Sequence, residues 1–253
     1  MWVALEIKAP LARYPPDLLA SLALSARAYV DPVSSVPRAV EQRRWVVPLL
    51  WVMITGAAAG AAFADRLDAA KEVLPKLAEK GELAKASERE IGEEIEQTQR
   101  IALVLGVAKA IFGMPLSVLL IAVALKLLAW LLGRKAEFSA CFTAAAVAML
   151  PVALYYLLSA VVALRQDVIA PSQAGKLMVS SLQPLFKGLG PGQGRVLAAI
   201  DFFNLWSAGL LGLGFASAAK LSPWRGLGLG LLLYVLFAAA ILVGLPGLMG
   251  DMK

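Results

Sequence analysis

Residues 115–132 read PLSVLLIAVALKLLAWLL and, after the short connection GRKAE, residues 138–164 read FSACFTAAAVAMLPVALYYLLSAVVAL. A helix needs about 20 mostly apolar residues to cross the ~30 Å hydrocarbon core of a bilayer. Both runs meet this requirement, and Lys126 is the one charged residue within them. The sequence therefore predicts two membrane-spanning helices joined by a tight, charged turn.

Three other apolar runs have the same character, so the whole chain is predicted to be a membrane protein. Hydrophobic residues make up 60% of the chain and charged residues 17%, whereas soluble domains are about 45–50% apolar and about 25% charged. The predicted fold class is an all-α, polytopic membrane helical bundle with about five transmembrane helices. The transmembrane domain covers residues 45–253, with spans at 45–63, 115–132, 138–164, 196–219 and 227–248.

Four segments are predicted to lie outside these spans. Residues 1–44 form a cytoplasmic N-terminal segment with a short amphipathic helix that ends near Asp31. Residues 65–100 form an acidic helical loop with ten acidic and seven basic residues, as two short helices broken around Pro75 and Gly81. Residues 101–113 are expected to form a separate interfacial or entering helix, and residues 165–195 a second loop.

The orientation follows from basic residues near the spans, because cytoplasmic loops are rich in Lys and Arg. Equal numbers of these residues fall on the two sides, but one set occupies the short connections. Placing that set inside puts the N-terminus in the cytoplasm and the acidic loop outside. The predicted location is the inner (plasma) membrane of a cell, with these residues cytoplasmic: Arg38, Arg43, Arg44, Arg134, Lys135, Lys220 and Arg225.

Several classes of chemistry lack the residues they need. The chain has no histidine and one cysteine, Cys141, which disfavours a zinc site and removes the commonest general base. The segment GLGPGQGR at 188–195 does not match a phosphate-binding loop. We expect no catalytic residue, metal or cofactor, and attribute the net charge of +6 to anionic lipid rather than nucleic acid.

Three polar residues form a candidate intramembrane site. Asp201 is the one acidic residue well inside a predicted span, and Asn204 shares its helix face. Lys109 lies near the start of its span on the same side of the membrane as Asp201, so their depths are compatible with an ion pair. The functional interpretation is a proton, ion or ligand site. The structural interpretation, which is favoured, is an ion pair near the interface or separate groups that reach the lipid head groups.

Small residues recur four apart in two spans, as Gly56 and Gly60 in the first and Gly212 and Gly214 with alanines in the fourth. Such faces let helices pack closely in lipid. They indicate either an oligomer interface or packing within one chain, and the second is favoured.

The overall layout resembles the Yip family (Ypt/Rab-interacting membrane proteins), in its bacterial branch. The residues that carry the resemblance lie between about 28 and 249: Asp31-Pro32, the basic run Gln42-Arg43-Arg44-Trp45, Met114-Pro115-Leu116, Met149-Leu150-Pro151, and Asp201-Phe202-Phe203-Asn204-Leu205-Trp206. The resemblance implies five spans, a cytoplasmic N-terminus and no catalytic centre. The long acidic loop departs from the family pattern.

Two functions follow as hypotheses. The first is a non-enzymatic membrane scaffold or adaptor that contacts the lipid bilayer and binds a protein partner or a second copy of itself. The alternative is a small transporter or channel that uses Lys109, Asp201 and Asn204.

Overall fold

The structure is a computed structural model that describes residues 18–173, 177–186, 188 and 190–240. Within these residues the fold is helical, and its β-type pairing consists of two isolated bridges, Leu67 with Ile169 and Ser181 with Asp201. Five helices are long and apolar enough to cross a membrane: Val46–Arg66, Glu88–Leu131, Phe138–Leu164, Phe202–Ala219 and Pro223–Ala240. The predictions of an all-α polytopic bundle and of five spans are confirmed.

The N-terminal segment forms a helical hairpin of α1 (Leu18–Arg27) and α2 (Pro32–Glu41). Asp31 caps α2 by accepting the Ser34 N–H, and Pro32 occupies its first turn. Sequence analysis expected one amphipathic helix ending near Asp31 and did not foresee the second. Residues 1–17 of this predicted segment lie outside the described residues.

The hairpin packs into the bundle rather than lying apart from it. The Tyr29 hydroxyl at its tip donates to the Leu150 carbonyl at 2.8 Å, and the Tyr29 ring meets Trp206 edge-on with centroids 5.6 Å apart. Val36, on α2, is fully buried. The tip thus reaches the middle of the third span.

The first span, α3 (Val46–Arg66), leads into α4 (Ala70–Glu79) and then α5 (Glu88–Ala108). The acidic segment does break at Gly81, which adopts a φ of 70°, but Pro75 lies inside α4. The start of α5 is fixed by a capping box between Ser87 and Glu90.

The second span is one continuous helix, because α5 runs through a π-helical turn at Lys109–Gly113 into α6 (Met114–Leu131). The expected separation of residues 101–113 from the span is therefore wrong. A proline has no N–H to donate within a helix, and the widened turn directly before Pro115 lets the helix absorb that loss without ending.

The third span consists of α7 (Phe138–Ala148) and α8 (Leu150–Leu164), which meet at Met149 just before Pro151, where the sequence predicts a kink. A short helix, α9 (Pro191–Ala199), precedes the fourth span, α10 (Phe202–Ala219). The predicted span at 196–219 is therefore too long at its start. The chain breaks at Ile200, where φ and ψ are −83° and 81°.

The fifth span, α11 (Pro223–Phe237), is antiparallel to α10 and packs along it. Its predicted end at 241–248 lies outside the described residues.

The core lies between α3, α6, α7 and α10, and its largest fully buried side chains include Val52, Val118, Leu125 and Phe215. Alanines of α7 fill the centre, so neighbouring helices approach closely.

Candidate functional site

Asp201 lies at the start of α10 and not inside a span. Its side chain accepts the Asn204 N–H at 2.9 Å and so caps the helix. The Ser180 hydroxyl donates to its other carboxylate oxygen. Both oxygens thus have local partners outside the apolar part of α10, which corrects the expectation that Asp201 is an acidic group within the membrane.

Lys109 lies exposed on the π-helical turn, and that turn packs against α3. Helix α10 packs instead against α11, α7, α2 and α8. Within the described residues, neither a hydrogen bond nor an ion pair joins Lys109 to Asp201. The structure therefore brings Asp201 and Asn204 together and leaves Lys109 apart.

A polar cleft of about 750 Å³ lies beside Asp201 and Asn204. Tyr155, Ser180 and Arg195 also line it, and the buried Arg195 Nε has no hydrogen-bond partner. Sequence analysis did not identify Arg195 as a site residue, since its position in a glycine-rich segment gives no sign that it lines a cleft with Asp201.

The four predicted packing glycines all make contacts within the chain. A Cβ atom on Gly60 would lie 2.9 Å from the Gly106 carbonyl carbon, and one on Gly56 would lie 3.2 Å from the Ala110 Cβ. Gly214 is equally close to Ala144, at 3.0 Å from its Cα. Gly212 faces the α11 backbone, with the Gly226 carbonyl carbon at 2.9 Å. These contacts agree with packing within one chain, the favoured interpretation.

A second cleft, of about 1120 Å³, opens at the other end of the bundle, between α2 and α6 and above α7 and α10. We call it the basic cleft. It is lined by cationic and anionic side chains and by an apolar floor. The charged residues that line it are Arg43, Lys126, Arg134, Lys135, Lys220, Glu41 and Glu137.

One ion pair crosses the wall of the basic cleft. Arg43 Nη2 lies 2.6 Å from Glu137 Oε2, and Arg43 Nε donates to Ser139 Oγ at 2.9 Å. The hydrogen bond from Arg43, together with its charge, lowers the pKa of the Glu137 carboxyl. Arg43 therefore ties the N-terminal hairpin to the start of α7, while the charges of Lys126 and Lys220 lower the Glu137 pKa further.

Sequence analysis had placed most of these cations on one side of the membrane but did not group them into a site. They belong to three connections that are far apart in the sequence: α2 to α3, α6 to α7, and α10 to α11. The sequence feature that could have revealed the site was the placement of these cations on the same side of the membrane. The cleft itself depends on how α2 packs, which hydropathy does not reveal.

Comparison with known proteins gives one match. The family model described as the Yip1 domain matches residues 26–245. No curated protein and no solved structure matches the chain. The matched region takes in both clefts and all five spans, and the resemblance inferred from the sequence is confirmed at the level of the family. This multi-pass membrane protein belongs to the Yip1 domain family.

Proposed function

We propose that this protein is a non-enzymatic membrane scaffold or adaptor that binds a protein partner through the charged start of α5. The observation that carries the proposal is the length of the second span. Its single helix has 44 residues, so it extends about 66 Å at 1.5 Å per residue. Only about 30 Å of this is needed to cross hydrocarbon.

The excess length forms a largely exposed arm at residues 88–100, and α5 also contacts α4. No residue of α5 is buried. The arm carries five carboxylates and two arginines. Its ion pairs, Arg89 with Glu93 and Arg100 with Glu96, lie along its own surface. Glu88 and Glu94 have no hydrogen bond or ion pair within the described residues.

A pre-formed, negatively charged helix suits a partner with a basic surface. The capping box between Ser87 and Glu90 stabilises the arm before any partner binds, since it satisfies N–H groups that would otherwise lack acceptors. Less ordering is then required on binding, and complementary charge speeds the encounter.

The location proposed with this function is a bacterial inner membrane, with the basic cleft facing the cytoplasm and the arm on the outer side. Support comes from the basic residues of the three short connections. A cysteine introduced at Lys85 should then react with a membrane-impermeant maleimide in intact cells. One introduced at Gln42 should react only after permeabilisation, and the reverse result would invert the topology.

Photo-crosslinking tests the arm. A photoreactive residue at Glu94 in the native membrane should give a discrete protein adduct, whereas one at Ile95, the half-buried neighbouring position, should give much less. Glu93→Lys combined with Glu88→Lys should abolish the adduct, and Lys80→Glu should not. Adducts of the same pattern and yield from all these variants would refute the proposal.

The transporter or channel alternative is supported by the polar cleft beside Asp201 and Asn204, with its unpaired Arg195 Nε. Its test is flux in reconstituted vesicles. If Asp201→Asn abolishes an ion- or proton-coupled flux that the unmodified protein sustains, the alternative replaces the scaffold. Absence of flux in both proteins favours the scaffold.

A further inference from the structure

We propose that the basic cleft binds one anionic phospholipid, with the phosphate among its cations and an acyl chain in a neighbouring apolar groove. The proposal concerns the end of the bundle opposite the arm and does not depend on the proposed function. It follows from charge, from the free hydrogen-bonding capacity of the cations, from the shape of the cleft and from its depth in the membrane.

The cations of the basic cleft outnumber its carboxylates by five to two. Arg43 and Glu137 satisfy each other, and Lys126 donates to the Ala136 carbonyl. Within the described residues, the side chains of Arg134, Lys135 and Lys220 make neither a hydrogen bond nor an ion pair. Three cations thus remain to bind an anion, and phosphate oxygens are acceptors that Lys and Arg bind well.

The backbone conformation at Arg43 and Lys220, two cations of the basic cleft, gives an independent indication of an anion site. Helices α2, α6 and α10 each end in a Schellman motif, in which a residue just past the last helical turn adopts positive φ. That residue is Arg43 with φ 57°, Gly133 with φ 65° and Lys220 with φ 53°. Hydrogen bonds from Arg44, Arg134 and Leu221 back to Ala39, Ala129 and Ala216 complete the three motifs.

Glycine is the residue that this conformation favours, and α6 has it. The other two motifs carry an arginine and a lysine instead, and both side chains line the basic cleft. For Arg43 the ion pair to Glu137 accounts for the choice. The Lys220 side chain has no hydrogen bond or ion pair within the described residues, although its charge helps to lower the pKa of the Glu137 carboxyl, so its donors are available to an anion in the cleft.

An apolar groove of about 460 Å³ adjoins the basic cleft and shares Arg134 and Leu221 with it. Leu132, Leu229 and Leu232 line its length. Gly228 also lines the groove, and a Cβ atom built there would meet nothing within 4 Å. A cationic pocket that continues into an apolar groove matches a phospholipid, which has a charged head and an apolar tail.

Exposed tryptophans place the basic cleft at the depth of lipid head groups. Trp130 lines the cleft and is 73% exposed, and Trp224, in the first turn of α11, is 82% exposed. Tryptophan is enriched where hydrocarbon meets the head groups. A phosphate bound between these residues therefore belongs to a lipid of the surrounding leaflet rather than to a soluble metabolite.

The test is native mass spectrometry of the full chain released from nanodiscs of equal parts phosphatidylcholine and phosphatidylglycerol. The unmodified protein should retain about one phosphatidylglycerol per chain in preference to phosphatidylcholine. Lys220→Gly should lower this retention about 5-fold, as expected for one lysine near an anionic surface. The substitution suits the positive φ, so the protein should keep or gain thermal stability.

Two further variants distinguish the site from general surface charge. Arg38→Gln removes one positive charge from the exposed face of α2, outside the basic cleft, and should change retention less than 2-fold. Gly228→Leu fills the apolar groove without changing charge and should lower retention several-fold. Equal losses from Lys220→Gly and Arg38→Gln, or unchanged retention in Gly228→Leu, would overturn the proposal.

Competition with inorganic phosphate distinguishes a lipid phosphate from a soluble anion as the occupant of the cleft. At millimolar concentration inorganic phosphate should leave the bound phosphatidylglycerol in place, because the lipid is also held by its acyl chain. If inorganic phosphate releases the lipid completely and binds to the unmodified protein but not to Lys220→Gly, the cleft is a soluble-anion site and the lipid proposal fails.

Discussion

Gly60 of α3 and Gly106 of α5 contact each other backbone to backbone, so a Cβ atom on Gly106 would lie 3.1 Å from the Gly60 Cα. Lipid is as apolar as a leucine face, and close packing rather than hydrophobic burial therefore holds membrane helices together. The base of the arm depends on this contact, since α3 is the main packing partner of α5.

We predict that Gly60→Ala destabilises the protein by about 1–3 kcal/mol, the usual cost of overpacking. The new methyl group would press on the Gly106 backbone, which cannot rotate away. Gly92→Ala is the matched control, because Gly92 has open space and alanine favours a helix by up to ~1 kcal/mol. Thermal unfolding in detergent measures both, and a Gly60→Ala protein as stable as Gly92→Ala would contradict the packing.

Asp201→Ala should destabilise the protein by about 1 kcal/mol through loss of the α10 cap. Asp201→Asn should cost much less, because the amide oxygen still accepts the Asn204 N–H. The same thermal unfolding measurement separates the two variants. If Asn costs as much as Ala, the charge of Asp201 matters more than its role as a cap.

A double-mutant cycle tests whether Lys109 and Asp201 interact. Because the structure places them on helices that do not share a packing seam, Lys109→Gln and Asp201→Asn should be additive in unfolding free energy to within ~0.5 kcal/mol. A larger coupling energy would show that Lys109 and Asp201 interact and would contradict their separation in the structure.

The contact between Arg43 and Glu137 should weaken in acid. The folded state lowers the Glu137 pKa below its ordinary value of 4.5, so the unfolded chain binds its proton first as the pH falls. The stabilisation is complete above the ordinary value and is lost as the pH falls through the lowered one. The effect is small, since the Glu137 side chain is 75% exposed.

Melting temperatures from pH 7 to pH 3 measure this contribution. The difference between the unmodified protein and Glu137→Gln should be constant near neutrality and vanish in acid. Arg43→Gln should show the same loss of pH dependence. If Glu137→Gln differs from the unmodified protein equally at both ends of the range, the ion pair is not the cause.

Hydropathy was sufficient to predict the number of spans, because crossing hydrocarbon requires a length and composition that few soluble helices share. It placed their ends less well. The sequence at 196–219 reads as one apolar run. In the structure, α9 ends at Ala199, and Asp201 caps a new helix, α10, that begins at Phe202. A side-chain cap is a local hydrogen bond, and average hydropathy does not register it.

The sites were less predictable than the spans. Gly60 was identified from its spacing, but its partner Gly106 was not, because spacing within a helix does not say which other helix lies opposite. Lys109 and Asp201 were paired by assuming equal depth, and the packing of α5 on α3 and of α10 on α7 separates them. The basic cleft exists only once three connections and the N-terminal hairpin are assembled.

The docking of the N-terminal hairpin has a consequence for biosynthesis. Tyr29 bonds to a residue 121 positions later in the chain, which a ribosome adds roughly 6–24 s afterwards at about 5–20 residues per second. The hairpin therefore leaves the ribosome well before the helices that receive it. During that interval the apolar residues that the finished fold buries, Ala28, Val36 and Ala39, need shielding by lipid or by the insertion machinery, and the hairpin docks only after the third and fourth spans have been made.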